Sequence, residues 1–334
     1  MTAPLIPVAQ ISPKSIEEQL LEIPSLLETG VDEVEHAIIY GETGCGKTTT
    51  AALLSEFFHL LYFDADKGLT AAKYNCHPEM QKRIHPIKIP DSPEYPTMIG
   101  TMLRIVKGLP CLLCKEHAVV DCIICKMNKD APVFNIALNK LPKNWIAVMD
   151  SQTQLYTSIL NFAYHKESGN GFGKEVPLDY KGNWDYRGIA YNCAEMFGNY
   201  VKDLKCQWLS ISHETMVEMD DKTSKLVPVG GSRNVSSNYG RWFGTQIYGK
   251  KAMGKHHFMT SSVYSGTVQT KSRTNVRLED KAIPSLVHIF RPEEAEALLK
   301  GSYNEWYFTE GCKDISKRSP GKQNSPQPKQ IISI

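Results

Sequence analysis

The sequence contains no run of 18 apolar residues and so offers no membrane span. Its opening residues, MTAPLIPVAQISPKSIEE, lack the basic stretch and apolar core of a secretory signal, and the expected location is the cytoplasm. Neither sign of charge dominates. The 38 Lys and Arg stand against 36 Asp and Glu, a formal net charge of +2, so partners must be sought in local patches rather than in the sum. No internal repeat is visible. Cysteine is present at nine, an odd count, which in a reducing compartment points to metal ligands or core thiols rather than disulfides. Apolar residues are plentiful: 42% hydrophobic against 22% charged supports a sizeable core. The length, 334 residues, suits one large decorated α/β domain or two smaller ones.

Apolar periodicity places the elements. Residues 15–29 have helical spacing broken at Pro24, within an N-terminal segment of 1–30. Short apolar strands are expected at His36–Tyr40, Leu60–Phe63, Trp145–Met149 and Gln207–Ser212, with helices at 48–61, 153–165 and 186–204. The stretch 74–100 reads as irregular, 166–184 as a Gly-rich loop, and 214–257 as a long Gly/Ser/Lys-rich region. Two β-like runs, 258–270 and 285–290, precede a helical 291–300. From Ile315 the chain has four basic and no acidic residues among Ser, Pro and Gln, and 315–334 is expected to be a disordered basic tail. Strands alternating with helices predict an α/β fold with a mainly parallel central sheet flanked by helices.

Gly41-Glu42-Thr43-Gly44-Cys45-Gly46-Lys47-Thr48, followed by Thr49, fits G-x-x-x-x-G-K-[ST] at every fixed position. Glycines let such a loop fold back so that successive N–H groups converge on a phosphate, and the following helix turns its positive end to the same anion. Lys47 would reach the β- and γ-phosphates of ATP, and the Thr48 hydroxyl would ligate Mg²⁺. An apolar strand upstream and a helix downstream supply the context a chance Gly-rich turn lacks. Asp150 closes a buried-strand pattern, Ile146–Met149, where a carboxylate supports Mg²⁺ through water; the bland alternative is a helix cap. Hydrolysis needs a group that orients or deprotonates water. Asp66, at the end of YFDAD, is the first choice, Asp64 its rival, and a turn-forming Asp before Lys67-Gly68 the bland reading.

Cys111-x₂-Cys114-x₇-Cys122-x₂-Cys125 can bring four thiolates to one tetrahedral Zn²⁺. It reads as a zinc-knuckle insertion at 105–130, between the second and third strands, stiffening a protrusion too small to hold itself together. Four small core hydrophobes are the alternative, given the apolar Leu112, Leu113, Ile123 and Ile124. Lys250, Lys251, Lys255, His256 and His257 form a basic run preceded by Tyr239, Arg241, Trp242 and Phe243. Cations that track phosphates and rings that stack bases suit single-stranded nucleic acid; a solvated loop beside core aromatics is the ordinary reading.

In order, GETGCGKTTT at 41–50, YFDADKG at 62–68, VMDS at 148–151, LSISHE at 209–214 and SRTN at 272–275 resemble the RecA-like P-loop ATPases. The nearer likeness is to phage-encoded RecA-like AAA-type ATPases of single-strand annealing and recombination, and it spans about residues 35–290. The resemblance implies a RecA-like ATPase domain over 31–300 and a γ-phosphate or water-sensing role for His213. It also implies a mobile segment at 214–245 near nucleotide and DNA. Single-stranded DNA is the implied partner, with a homo-oligomer, a single-strand-binding protein, and the host cytoplasm as setting. Arg273 or a lysine from 250–255 would then act in trans on the neighbouring site. These relatives usually carry glutamate where this chain has Asp66, which puts the rate of turnover in question. Other readings are an ATPase of helicase loading or packaging, and a nucleotide-binding module that does not hydrolyse.

Overall fold

The β-branched and aromatic runs of the sequence become a sheet because, once extended, a continuous apolar run presents side chains to both faces and both must be covered. The computed structural model describes residues 34–127, 133–167, 185–220, 222–230, 232–261 and 267–310. The N-terminal segment 1–30, the 168–184 part of the Gly-rich loop and the 315–334 tail lie outside the described residues. In chain order the strands are β1 (His36–Gly41), β2 (His59–Asp64), β3 (Ile84–Ile87), β4 (Leu112–Cys114), β5 (Val133–Asn135), β6 (Trp145–Asp150), β7 (Gln207–Glu218), β8 (Ser224–Pro228), β9 (Thr245–Ala252) and β10 (Lys255–Met259). The main sheet runs β10-β9-β1-β7-β6-β2-β3, with β8 paired to β7. Six of these strands, β9 through β3, are mutually parallel; β10 and β8 join antiparallel. β4 and β5 form a separate antiparallel pair.

The expected α/β architecture with a mostly parallel sheet is present. Successive residues of one strand feed opposite cores, as a pleat requires. Ala37 and Ile39 face a layer built from the helix Lys47–Leu53 and the segment Val287–Phe290. Ile38 faces the layer of helices Met98–Val106, Gln152–Glu167 and Asp185–Lys202. The chain leaves β1 over β7 and β6 to reach β2, and later crosses back past β1 to β9. β1 is therefore where the winding reverses, and a crevice opens beyond its carboxyl end.

Several sequence expectations fail for identifiable reasons. The 74–100 stretch is not irregular: Leu60 pairs with Ile84 and makes 84–87 a parallel edge strand, Pro86 included. The run 285–290 is partly the short helix Val287–Phe290. Within 214–245 the described residues include regular secondary structure: β7 continues through Glu218 and pairs with β8, and a capped helix follows at Arg233–Ser237. Among the described residues no helix is long and apolar enough to cross a membrane.

His36, at the start of β1, is 4% exposed and its Nε2 lies 3.2 Å from the Cys206 carbonyl oxygen. Burial holds the imidazole neutral, lowering its pKa from 6.5 to about 4, and the neutral ring donates from Nε2. The unfolded chain takes up this proton first as pH falls, so the contribution is whole above pH 6.5 and is lost toward pH 4. The loss from this one group is about 2 kcal/mol by pH 5. Calorimetry is expected to show His36→Gln losing less melting temperature than the wild type between pH 7 and pH 5.

Candidate functional site

Gly41 ends β1, paired on one side with His213 of β7 and on the other with Gly249 of β9. A Cβ at Gly41 would lie 1.9 Å from the Gly249 carbonyl oxygen, so no side chain fits where these backbones meet. The loop then turns through Gly46, whose φ of 89° is left-handed, and enters the helix Lys47–Leu53. Glu42, Thr43 and Gly44 are exposed and Cys45 is buried. Lys47 is 7% exposed and folds back over the loop, its Nζ donating to the carbonyls of Gly41 and Glu42 at 2.8 Å each. Thr49 is buried under the loop.

A carboxylate cluster faces this loop. The Thr48 hydroxyl donates to Asp150 Oδ2 at 2.8 Å, and the buried Tyr62 hydroxyl donates to the same oxygen at 2.7 Å. Burial pushes Asp150 up to about 6, against the pull of those two hydroxyls. β2 and β6 run side by side and end together, Asp64 opposite Asp150. The Asp150 carbonyl accepts the N–H groups of Ala65 (2.5 Å) and Asp66 (3.2 Å), which fixes the turn carrying Asp66. Asp64 is spent on that turn: its Oδ1 accepts the Gly68 N–H at 2.8 Å. Asp66 is exposed, and its charge is felt at both Asp150 and His213. Gly68 closes the wall, since a Cβ there would lie 3.2 Å from Asp150 Oδ2 and 3.3 Å from Thr48 Oγ1.

His213 reaches the loop as well. Its Nδ1 and Thr43 Oγ1 share a 3.4 Å hydrogen bond, and its N–H donates to Thr153 Oγ1 at 2.9 Å. Burial, then the Lys47 ammonium, holds the imidazole below its ordinary pKa. Lys47, Thr48, Asp66, Asp150 and His213 thus converge at the carboxyl ends of β1, β2 and β6, beside the middle of β7. A lysine able to swing off carbonyl oxygens can neutralise an anion. A hydroxyl and a carboxylate sharing a hydrogen bond present hard oxygen donors that suit Mg²⁺. Sequence reasoning missed Tyr62 and Gly68. Tyr62 reads as one more apolar strand residue, and nothing in a single sequence marks its hydroxyl.

The cysteine knuckle corrects the expected ligand set. The ligand atoms that converge belong to Cys114, His117, Cys122 and Cys125, all within 4.8 Å of one another, a cluster able to hold a metal such as zinc. His117 Nδ1 lies 3.4 Å from Cys114 Sγ, 3.4 Å from Cys125 Sγ and 3.8 Å from Cys122 Sγ; Cys114 and Cys125 are 2.8 Å apart. Tetrahedral zinc sets such ligand–ligand separations at about 3.5–3.8 Å, so all but the last match closely. The His117 N–H also points at Cys114 Sγ at 3.4 Å, stabilising thiolate. Cys111, expected as the fourth ligand, lies outside this group. It enters strand β4, which keeps the chain extended between 111 and 114, whereas a turn carries Cys114 to His117. Cys111 is instead buried in the main core, its N–H bonded to Asn135 Oδ1. Leu113 joins Cys111 in that core, whereas Ile123 and Ile124 are 76% and 68% exposed, so the core reading holds for the 111–113 part of this segment and not for 123–124.

Protein purified without chelator is expected to carry about one zinc per chain, by elemental analysis. His117→Ala, or Cys114→Ser with Cys125→Ser, removes it; Cys111→Ser keeps it. Zinc retained in both of the first two variants would contradict the assignment.

The basic-aromatic run divides. Tyr239, Trp242 and Phe243 are buried in the core and cannot stack bases. Lys250, Lys251, Lys255 and His257 are exposed on the β9–β10 hairpin. Arg273 lies at the far end of β1: a Cβ on Gly244 would meet Glu35 Oε1 at 2.6 Å and Arg273 Nε at 2.8 Å. No protein-family model matches the chain, and no curated protein matches it.

Proposed function

We propose that the chain is a Mg²⁺-dependent ATPase of the RecA-like P-loop kind that acts on single-stranded DNA. One observation carries this reading: the Thr48 hydroxyl and Asp150 carboxylate, 102 residues apart, meet at 2.8 Å beside the glycine-rich loop. Lys47 would leave the carbonyls of Gly41 and Glu42 for the β- and γ-phosphates, and the loop N–H groups would cradle them. Thr48 and Asp150 would hold Mg²⁺, with Tyr62 fixing the carboxylate; bound Mg²⁺ neutralises phosphate charge. Asp66 would orient the attacking water, and His213, tied to Thr43, would sense the γ-phosphate. The reversal of winding at β1 supports the placement, because ligands of open α/β sheets sit in that crevice.

Single-stranded DNA, annealing or recombination, and a homo-oligomer enter through the sequence resemblance. A trans-acting lysine from the hairpin suits such an assembly, since Lys250 and Lys251 directly follow Gly249, the neighbour of Gly41. Arg273 in its own subunit is remote from the loop, so it serves only across an interface. The deciding measurement is phosphate release with and without single-stranded DNA. A rise with DNA is the expected result. Turnover indifferent to DNA points to another ATPase task, and tight binding without turnover to a nucleotide-binding module.

A further inference from the structure

The β9–β10 hairpin is a basic, exposed element beside the site and is joined to the loop. Lys250, Lys251 and Lys255 are exposed, and among the described residues none of them enters an ion pair. They line, with His257, a groove of about 800 Å³ between β10 and the helix Tyr303–Glu310, its wall including Met259 and Phe308. Among the described residues β10 is the last strand on its side of the sheet, so the groove lies along the sheet's edge. Lys281, also on the groove, is already paired with Glu296 at 2.8 Å. Glu279 and Glu310 also line the groove, so its wall carries four lysines against two glutamates.

The joints to the loop are short. Glu42 Oε1 accepts the Lys251 N–H at 2.9 Å. The His256 ring covers Gly46, where a Cβ would come 2.8 Å from Nδ1, and stacks on Tyr307 at 6.0 Å and 6°. Cys45 Sγ would lie 3.2 Å from a Cβ on Gly249. The loop and the hairpin root therefore move as one piece or must break these contacts. Lys47 supplies the reason to move, because the carbonyls it holds, Gly41 and Glu42, include that of the residue anchoring Lys251.

We infer that this groove grips the phosphodiester backbone of a single strand of nucleic acid, and that occupancy of the Gly41–Thr48 loop sets the strength of the grip. The groove half of the claim stands on the hairpin's own geometry; the coupling half rests on the proposed nucleotide site. Contact through phosphates needs cations at a spaced edge and no base stacking, which is what remains once Tyr239, Trp242 and Phe243 are assigned to the core.

The test is fluorescence anisotropy of labelled oligo(dT) on the full chain, across a salt series, with and without Mg·ATPγS. Lys250→Ala with Lys255→Ala alters two exposed side chains and is expected to weaken binding at least about tenfold. It should also flatten the plot of log K against log salt by about 1.4, two phosphate contacts at about 0.7 each. Oligo(rU) should bind comparably, because phosphates are common to both. Mg·ATPγS should change the wild-type affinity at least about fivefold, and oligo(dT) should change ATPγS affinity by the same factor. An unchanged affinity and salt slope in the double variant overturns the groove. Binding confined to duplex overturns the single-strand assignment. Measurable binding of both ligands with no mutual effect overturns the coupling. If ATPγS does not bind at all while the double variant still loses oligo(dT), the nucleotide reading fails and the groove stands.

Discussion

Asp66→Asn is expected to bind Mg·ATP almost as tightly as the wild type and to turn it over at least about a hundredfold more slowly. The size follows from general-base contributions, which run to roughly 10²–10⁴. The choice between the two acids of YFDAD follows from the turn. Asp64 already accepts the Gly68 N–H, and replacing it would disturb the backbone that carries Asp66. Asp66 is exposed over the crevice, close enough to act on Asp150 and His213 through its charge. Asparagine keeps the shape and removes the basicity. Asp66→Glu should keep or raise the rate, because the resembling ATPases carry glutamate there. A fall of only two- or threefold would make Asp66 a turn residue and direct attention to Glu214, which follows His213 on β7. Single-turnover kinetics with binding measured separately distinguishes the cases.

Lys47→Ala should abolish tight ATP binding and leave the fold standing. Hydrogen bonds to a charged group contribute about 1.5–3 kcal/mol each, and an ammonium serving two phosphates makes more than one. Losing it should weaken binding at least about a hundredfold in isothermal titration. The cost to the empty protein is limited to the buried Gly41 carbonyl, because the carbonyl of Glu42 is on an exposed loop, where water can replace the lysine. A melting temperature within a few degrees of wild type is the expected companion result. Undiminished ATP affinity would remove Lys47, and the loop with it, from the proposed site.

The parallel sheet was legible because β1, β2 and β6 are apolar runs, buried on both faces and ending in Gly or Asp, and β7 adds a fourth in which apolar residues alternate with small Ser. β3 was not: Ile84-His85-Pro86-Ile87 has neither length nor β-branched density, and exists because β2 offers it an edge. β9 and β10 were hidden by glycine and lysine, whose presence reflects the close approach at Gly41 and the basic hairpin rather than a loop. The site was read from Lys47, Thr48 and Asp150, each at the end of a recognisable element. The knuckle was read to three of its four ligands. Regular C-x₂-C spacing favoured Cys111, but pairing of β4 with β5 extends the chain there, and that pairing depends on residues twenty positions away. The aromatic run 239–243 misled for a similar reason, since helix Asp185–Lys202 and β7 provide the core that buries it.

The knuckle also closes one rim of the molecule. Just past β3, Lys88 donates its N–H to Ala118 and accepts from Val120, so the turn that carries the candidate metal ligands lies against the chain where β3, the edge strand among the described residues, ends. An outermost strand is a template on which foreign chains can polymerise, and proteins commonly mask such templates. If the three cysteines and His117 bind metal, they hold the mask in place, and chelation would then do more than loosen a protrusion: it would unmask backbone donors and acceptors beside β3 and lower solubility.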